Sequence, residues 1–500
     1  MLIQIDKGEE KLYTHIGFQA TIRMMKFSKL LLTIFSCIVL NNAAFAQKKP
    51  RQIILILADD LGWKDVGFNG SRYYHTPVLD SLAKQSMVFT HAYANASNCA
   101  PSRACLMSGA YAPRHGVFTV SPPDRGDARS RKLVPSPNED FLSPQLKTLG
   151  RVFQEAGFKT AVMGKWHIGE DPTQQGFDVH KGGGRMGHPK SYFSPYGMKY
   201  LADGPEGEEL TDRITQESIR FMQENRTNDF FLYIPQFAIH TPLQGKENLV
   251  EKYKKLPPRD GQGTSPAYAA LVENLDQNVG KLLAAVKSLR LENPLIVFSS
   301  DNGGIANLSR QWPLRAGKGS YYEGGLRVPL LVNNAGVKPG VSDVPTLLFD
   351  LFPTLCAWAK VPLPTSQPID GVSFLDVWQG KPRPNLYERS LFFHFPFYLE
   401  AYRMGGDDSR DDFFRTRPGS VVIKKNWKLH HYLEDDAYEL YDMNNDPGER
   451  IDLASEQPEK REELVAILNK WRTEVSAPVP AELNPAYDPE FVPRPKKRNK

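Results

Sequence analysis

Apolar residues in this chain gather into short unbroken runs that stop abruptly at polar residues or glycine. Gln52–Ala58 (QIILILA) ends in Asp59-Asp60-Leu61-Gly62, and Leu295–Ser300 (LIVFSS) ends in Asp301-Asn302-Gly303. Lys159–Met163 leads into Gly164-Lys165, and Phe231–Ile234 leads towards His240-Thr241-Pro242. Runs that are apolar at successive rather than alternate positions predict strands buried on both faces, as in a parallel sheet. Helix candidates at Gln145–Ala156, Ile214–Asn225, Tyr268–Leu289 and Thr346–Ala359 separate or follow them. The alternation predicts an α/β fold, a large mostly parallel sheet covered by helices on both faces, extending to about Gly380. Beyond Trp378-Gln379-Gly380-Lys381-Pro382 the pattern changes to shorter strand candidates at Ser390–Phe393, Ser420–Lys424 and Lys428–Tyr432, then a charged helix at Pro458–Thr473. The expected division is therefore a main domain over 47–380, a smaller α+β subdomain over 381–480 and a basic tail over 481–500.

Composition supports this size of fold. Of the 500 residues, 41% are apolar and 11% aromatic, which is enough for a large core and excludes a disordered chain. The net charge of +5 is modest and partly terminal (Arg494, Lys496, Lys497, Arg498, Lys500), so it gives no reason to expect nucleic acid as a partner. Near the start, Met25-Lys26-Phe27-Ser28-Lys29, the apolar stretch Leu30–Leu40 and Ala44-Phe45-Ala46 have the form of a cleavable signal peptide over 25–46. Residues 1–24 then read as an upstream extension. The apolar stretch is too short to span a bilayer. The expectation is an exported protein, periplasmic or else secreted, without a stable membrane anchor. The cysteines left after cleavage are Cys99, Cys105 and Cys356, too few for a disulfide scaffold; Cys105 and Cys356 could pair in an oxidising compartment but read better as two buried thiols.

Ligands of open α/β sheets bind at the carboxyl ends of the strands, where the two acidic segments fall. Adjacent carboxylates repel and are costly to bury unless a cation neutralises them. Asp59, Asp60, Asp301 and Asn302 form an all-oxygen set that suits calcium, with its loose geometry, better than magnesium. Zinc is disfavoured because the set holds no His or Cys thiolate.

Four further segments join them. Cys99-Ala100-Pro101-Ser102-Arg103, followed by Leu106, Ser108 and Gly109, resembles the C-x-P-S-R…L-x-[ST]-G signature of type I sulfatases, which belong to the alkaline phosphatase superfamily. Gly164-Lys165-Trp166-His167-Ile168-Gly169 resembles the second signature of that family, and Gly317-Lys318 through Tyr322-Glu323-Gly324-Gly325-Leu326-Arg327-Val328-Pro329 resembles a third segment. His240-Thr241-Pro242 matches its H-x-P, and Glu439-Leu440-Tyr441-Asp442 with Asp446-Pro447-Gly448-Glu449 matches its closing segment. Each occurs in family order, and the resemblance covers nearly the whole chain after the leader.

The resemblance implies an alkaline-phosphatase-like fold whose smaller subdomain carries a four-stranded antiparallel sheet. It also implies that a maturation enzyme oxidises Cys99 to formylglycine (3-oxoalanine). The hydrated aldehyde at Cys99 would share the metal with the four oxygen ligands and attack sulfur. His240, helped by Lys318, would protonate the leaving oxygen, and His167 would take the proton that expels sulfate. Arg103 would orient the nucleophile, and Lys165 would add positive charge. Pro101 fits the first position of a helix whose amino end faces the site. The implied substrate is a sulfated poly- or oligosaccharide such as ulvan, carrageenan, fucoidan or a glycosaminoglycan. Candidate sugar contacts are Arg185 and His188, in the loop Gly182–Pro189, and Arg403 in the polar insert Tyr402–Arg417, with Tyr398 and Tyr402 able to stack on a ring. Two alternatives remain: a phosphate or phosphonate ester hydrolase of the same superfamily, and a non-catalytic binder of sulfated glycans. Substituting Cys99→Ala is expected to abolish ester turnover and leave the thermal melt unchanged. Cys105→Ala is expected to keep most of the activity in the same assay.

Overall fold

The structure, a computed structural model, describes Met24 and residues 49–492; the proposed leader and the basic end of the tail lie outside the described residues. The chain divides into two compact units, Met1–Pro50 and Arg51–Lys500. The first is described only at Met24, Lys49 and Pro50; the second holds all the strands described below.

The main sheet has eight strands: β1 (Gln52–Ala58), β2 (Ser86–Phe89), β3 (Lys159–Gly164), β4 (Val179–Gly182), β5 (Phe230–Pro235), β6 (Leu295–Ser300), β7 (Leu330–Asn333) and β8 (Gly340–Ser342). Their spatial order is β4-β3-β5-β1-β6-β7-β2-β8. Pairing is parallel from β4 through to β6 and antiparallel on both sides of β7. Every residue of β1 is buried, and its side chains alternate between two cores. Ile53, Leu55 and Leu57 face one core, shared with helices α1 (Cys99–Ser108), α2 (Leu149–Glu155) and α5 (Leu351–Ala359). Ile54, Ile56 and Ala58 face the other, shared with α3 (Leu210–Glu224) and α4 (Pro266–Ser288). Burial on both faces is the reason the strand reads as continuously apolar.

Caps account for the helix boundaries that differ from expectation. Helix α2 starts at Leu149 because the Thr148 side chain accepts from Arg151 N at 3.1 Å, which excludes Gln145–Lys147. Helix α4 starts at Pro266, earlier than Tyr268, because Ser265 caps it (3.2 Å from Tyr268 N) and proline suits a first turn. Thr346–Leu347 pairs with Ala92–Tyr93 as a short parallel ladder, and a single 3-10 turn follows, so α5 begins only at Leu351. Helix α1 also departs from expectation: it begins at Cys99 itself, which makes Pro101 its third residue rather than its first. Proline is tolerated there because the first turn has no intrahelical acceptors for its amides.

The second sheet is four-stranded and antiparallel, in the order β9 (Ser390–Phe395), β10 (Gly419–Lys424), β11 (Trp427–Tyr432), β12 (Ala437–Asp442). Helix α6 (Pro458–Glu474) covers one face through Leu464, Leu468 and Trp471, packed with Val422, Leu429 and Leu440. The other face packs Val421, Ile423 and Phe393 with Cys105, Tyr321 and Phe349 of the main fold. Between the sheets lies a buried ionic cluster. Lys428 Nζ is 3.1 Å from Glu323 and 2.8 Å from Glu449, all three side chains being 0% exposed, and Arg327 closes the other side of Glu323 at 2.7 Å. Lys428→Met leaves Glu449 without its lysine partner and Glu323 with Arg327 alone. A loss of about 3–5 kcal/mol is expected, read from the urea midpoint.

Candidate functional site

The register of the central strands sets the site. Ala58 pairs with Ser300 in the parallel ladder of β1 and β6, so Asp59 and Asp301 leave the sheet side by side. On the other flank Leu57 pairs with Pro235, and the segment leading to His240 starts at the same edge. Lys165 follows β3, its amide 2.7 Å from Pro235 O. Asp60 adopts a left-handed conformation (φ 65°), and its amide donates to Asp301 Oδ1 at 3.2 Å. That turn sends Asp59 and Asp60 in different directions from one strand end.

Each carboxylate is wholly buried and faces its own cation. Lys165 Nζ is 2.7 Å from Asp59 Oδ2, Lys318 Nζ 2.7 Å from Asp60 Oδ1, and Arg103 Nη2 2.7 Å from Asp301 Oδ2. Arg103 Nη1 also donates to Lys165 O at 2.9 Å, and Asn302 Nδ2 to Asp60 Oδ1 at 2.9 Å. The balance is unequal. Burial, with the negative charges of Asp301 and Asp60, pushes the Asp59 carboxyl up to about 8 in spite of Lys165. Burial acts on Asp60 too, but Lys318, His240 and Lys165 together hold it below the usual carboxylate range.

These residues fit a hard cation. Ligand atoms of Asp59, Cys99 and Asp301 lie within 4.8 Å of one another, and all three residues are buried. Asp59 Oδ1 and Asn302 Oδ1 are buried acceptors without a hydrogen-bond partner. A group of acidic oxygens with orphaned acceptors and one carboxyl driven towards neutrality is the environment a divalent ion relieves.

Cys99 sits in the first turn of α1, where the free amides of the helix start add positive potential. His167 occupies a left-handed position (φ 69°) and is buried; burial and then the charges of Lys165, Arg103 and Lys318 keep its pKa well below the ordinary value. His240 Nε2 is 3.7 Å from Asp60 Oδ2, and burial followed by Lys318 pushes its pKa down to about 3. Cys105 and Cys356 are buried free thiols, and burial raises both.

The three candidate sugar contacts fall differently. The His188 ring stacks on His240, with centroids 5.8 Å apart and planes at 7°, which brings it to the site. Arg185 is an exposed residue paired with Glu170 at 3.1 Å. Arg403 is exposed on the insert. Of the other arginines there, Arg410 pairs with Asp435 and Arg417 with Asp411, while Arg415 turns inward.

Other residues build the site: Arg415, an arginine of the polar insert that the sequence offers as a rim for the sugar, does so from within, and the rest have no sequence signal of their own. Arg415 Nη1 donates to Lys318 O at 3.1 Å and so fixes the backbone of that lysine. Tyr192 Oη lies 2.6 Å from Phe237 O and 2.9 Å from His240 O, holding the His240 segment. At Gly187 a Cβ atom would stand 2.7 Å from His167 Nε2, so glycine there gives the ring its room. The glycine run Gly182-Gly183-Gly184 drew attention to this loop, but not to Gly187 in particular.

Comparison with known proteins agrees with this arrangement. The sulfatase family matches residues 51–361, and a C-terminal family described as N-sulphoglucosamine sulphohydrolase matches residues 317–476. The chain belongs to the sulfatase family, enzymes that hydrolyse sulfuric esters. It is 31% identical to a sulfatase of Formosa agariphila, over 95% of this chain and 98% of that protein. It is 28% identical to the human N-acetylgalactosamine-6-sulfatase, over 87% of each chain. The solved structure of Ps i-CgsB in complex with k-i-k-neocarrahexaose superposes with a TM-score of 0.69 at 29% identity, covering 85% of this chain and 93% of that one. Gly187→Ala is expected to displace the His167 ring and lower kcat about tenfold or more, with KM and the thermal melt little changed. Steady-state kinetics on an aryl sulfate read the effect.

Proposed function

We propose that this protein removes sulfate from a sulfated poly- or oligosaccharide through a formylglycine nucleophile formed at Cys99. The observation that carries the reading is the buried set of Asp59, Asp60, Asp301 and Asn302 with Lys165, Lys318 and Arg103, gathered around Cys99. Similarity to N-acetylgalactosamine-6-sulfatase and to a structure containing a neocarrahexaose supports a glycan as the bearer of the ester. Export supports it too: the Ala44-Phe45-Ala46 site would release the chain into the periplasm, where such polymers are met. Among the described residues no helix is long and apolar enough to cross a membrane.

Calcium, held by Asp59, Asp60, Asp301, Asn302 and residue 99, would supply positive charge opposite the sulfate oxygens. Formylglycine would supply a hydrated aldehyde as nucleophile at residue 99. The remaining work falls to side chains. Arg103, anchored on Asp301 and on Lys165 O, keeps the nucleophile's surroundings rigid, and Lys165 and Lys318 stabilise the charge that develops on the ester. His240 Nδ1 donates to Thr241 O at 2.8 Å, so the proton for the leaving oxygen is carried at Nε2. Burial and Lys318 oppose a charged ring there. An anionic ester in the site favours that charge, so protonation of His240 accompanies substrate. His167, kept neutral by burial and then by the cations around it, accepts the proton that frees sulfate.

The test uses protein made in its native host. The tryptic peptide containing Cys99 is expected to be about 18 Da lighter than its thiol form, the change for a thiol becoming an aldehyde. That protein is expected to release sulfate from a sulfated glycan, to prefer nitrophenyl sulfate to nitrophenyl phosphate, and to lose activity to a calcium chelator. An unmodified thiol in active protein would refute the nucleophile, and a preference for the phosphate would move the enzyme to the phosphoesterase reading.

A further inference from the structure

The segment Thr119–Arg125 is tied to the site at one end and reaches the polar insert at the other. Asn98, next to Cys99, donates from Nδ2 to Thr119 Oγ1 at 3.1 Å, and Asn138 Oδ1 accepts from Phe118 N and Thr119 N. Further along, Tyr398 N donates to Pro123 O at 2.9 Å, and Gly126 lies so close to Phe414 that a Cβ would stand 2.7 Å from the ring. Arg125 is thereby held between the nucleophile and the insert. Its guanidinium donates to the backbone carbonyls of Val120 (2.8 Å) and Ser121 (3.2 Å).

A second guanidinium comes from the insert. Arg415 spans Lys318 O and Glu400 O and stacks on the Tyr402 ring at 3.5 Å. Arg125 lies within Coulombic range of Arg415, Cys99 and Tyr402. Burial, and then repulsion from Arg415, lower the Arg125 pKa. The half-buried Arg125 guanidinium is held by backbone carbonyls of its own segment, and the buried Arg415 guanidinium by Lys318 O and Glu400 O with the Asp407 carboxylate in its vicinity. An anion bound between them would remove the repulsion and gain charge-assisted hydrogen bonds.

We infer that Arg125 is a specificity-determining residue, binding a second anionic group of the substrate beside the ester that is cleaved, with Arg415 adding to the attraction. This rests on the sulfated-glycan reading above and narrows it: the preferred substrate carries another sulfate or a carboxylate on the same or the neighbouring sugar. Neutral and singly charged sugars make no use of this subsite.

Binding without turnover tests it. Full-length Cys99→Ala protein, loaded with calcium, is titrated calorimetrically with galactose monosulfate and galactose disulfate, then with a monosulfated disaccharide with and without a uronate carboxylate. Tighter binding of the doubly charged member of at least one pair, by about tenfold or more, is expected. Preference in the first pair identifies sulfate as the second anion, and preference in the second pair identifies carboxylate. Adding Arg125→Gln is expected to bring the ratio near one, while Arg125→Lys keeps part of it; the melting curves of the variants report on folding. Equal binding within both pairs, no binding at all, or a ratio that survives Arg125→Gln would overturn the inference. Failure of the sulfatase reading shows separately, as absence of aryl sulfate turnover by the converted wild-type protein.

Discussion

Asp59, Asp60 and Asp301 are forced together by the parallel register of the two central strands and are buried away from solvent that would disperse their charge. Lys165, Lys318 and Arg103 meet them one to one, each at 2.7 Å. Six ionisable groups in one buried layer are stable only as an ensemble, because removing any one leaves a neighbour uncompensated in a medium that screens poorly. The pairing is also incomplete, since Asp59 is driven towards its neutral form and two acceptor oxygens lack partners. The site is thus organised by protein charges and left short of positive charge where the chemistry calls for it.

Much of the remaining structure holds those cations in place. The backbone at Lys318 is fixed from outside by Arg415, and the chain beyond it enters the short helix Glu323–Leu326. There Glu323 meets Lys428 of β11, which also binds Glu449. A series of charge contacts therefore runs from Asp60 through the Lys318 segment to the second sheet. The antiparallel sheet serves the reaction as a support for one loop, although no residue of its four strands enters the layer of charges.

The strands and the residues at their ends were legible because burial on both faces leaves a plain signature and because chemistry concentrates where the signature stops. Lys165, His167, His240 and Lys318 follow the same logic, each standing just beyond a strand or in a glycine-bracketed turn. The strands β2, β4, β7 and β8 gave no such signature: they are three or four residues long, and only pairing defines them. The extent of α5 was misjudged because the apolar stretch at Thr346 reads equally well as strand or helix, and the decision falls to a ladder with Ala92–Tyr93. Tyr192 and Gly187 were illegible as contributors, and Arg415 as a support rather than a rim residue, for a different reason. Each acts through a contact far away in sequence, and nothing local distinguishes such a tyrosine or glycine from any other.

Cys99 is 2% exposed, at the start of a helix every residue of which is buried. On the reading proposed above, an enzyme that modifies this thiol would have to reach it past buried neighbours, which the folded chain does not offer. Conversion of Cys99 would then belong to the interval between synthesis and folding, and the active fraction of a preparation would record how those two rates competed while the chain was still open.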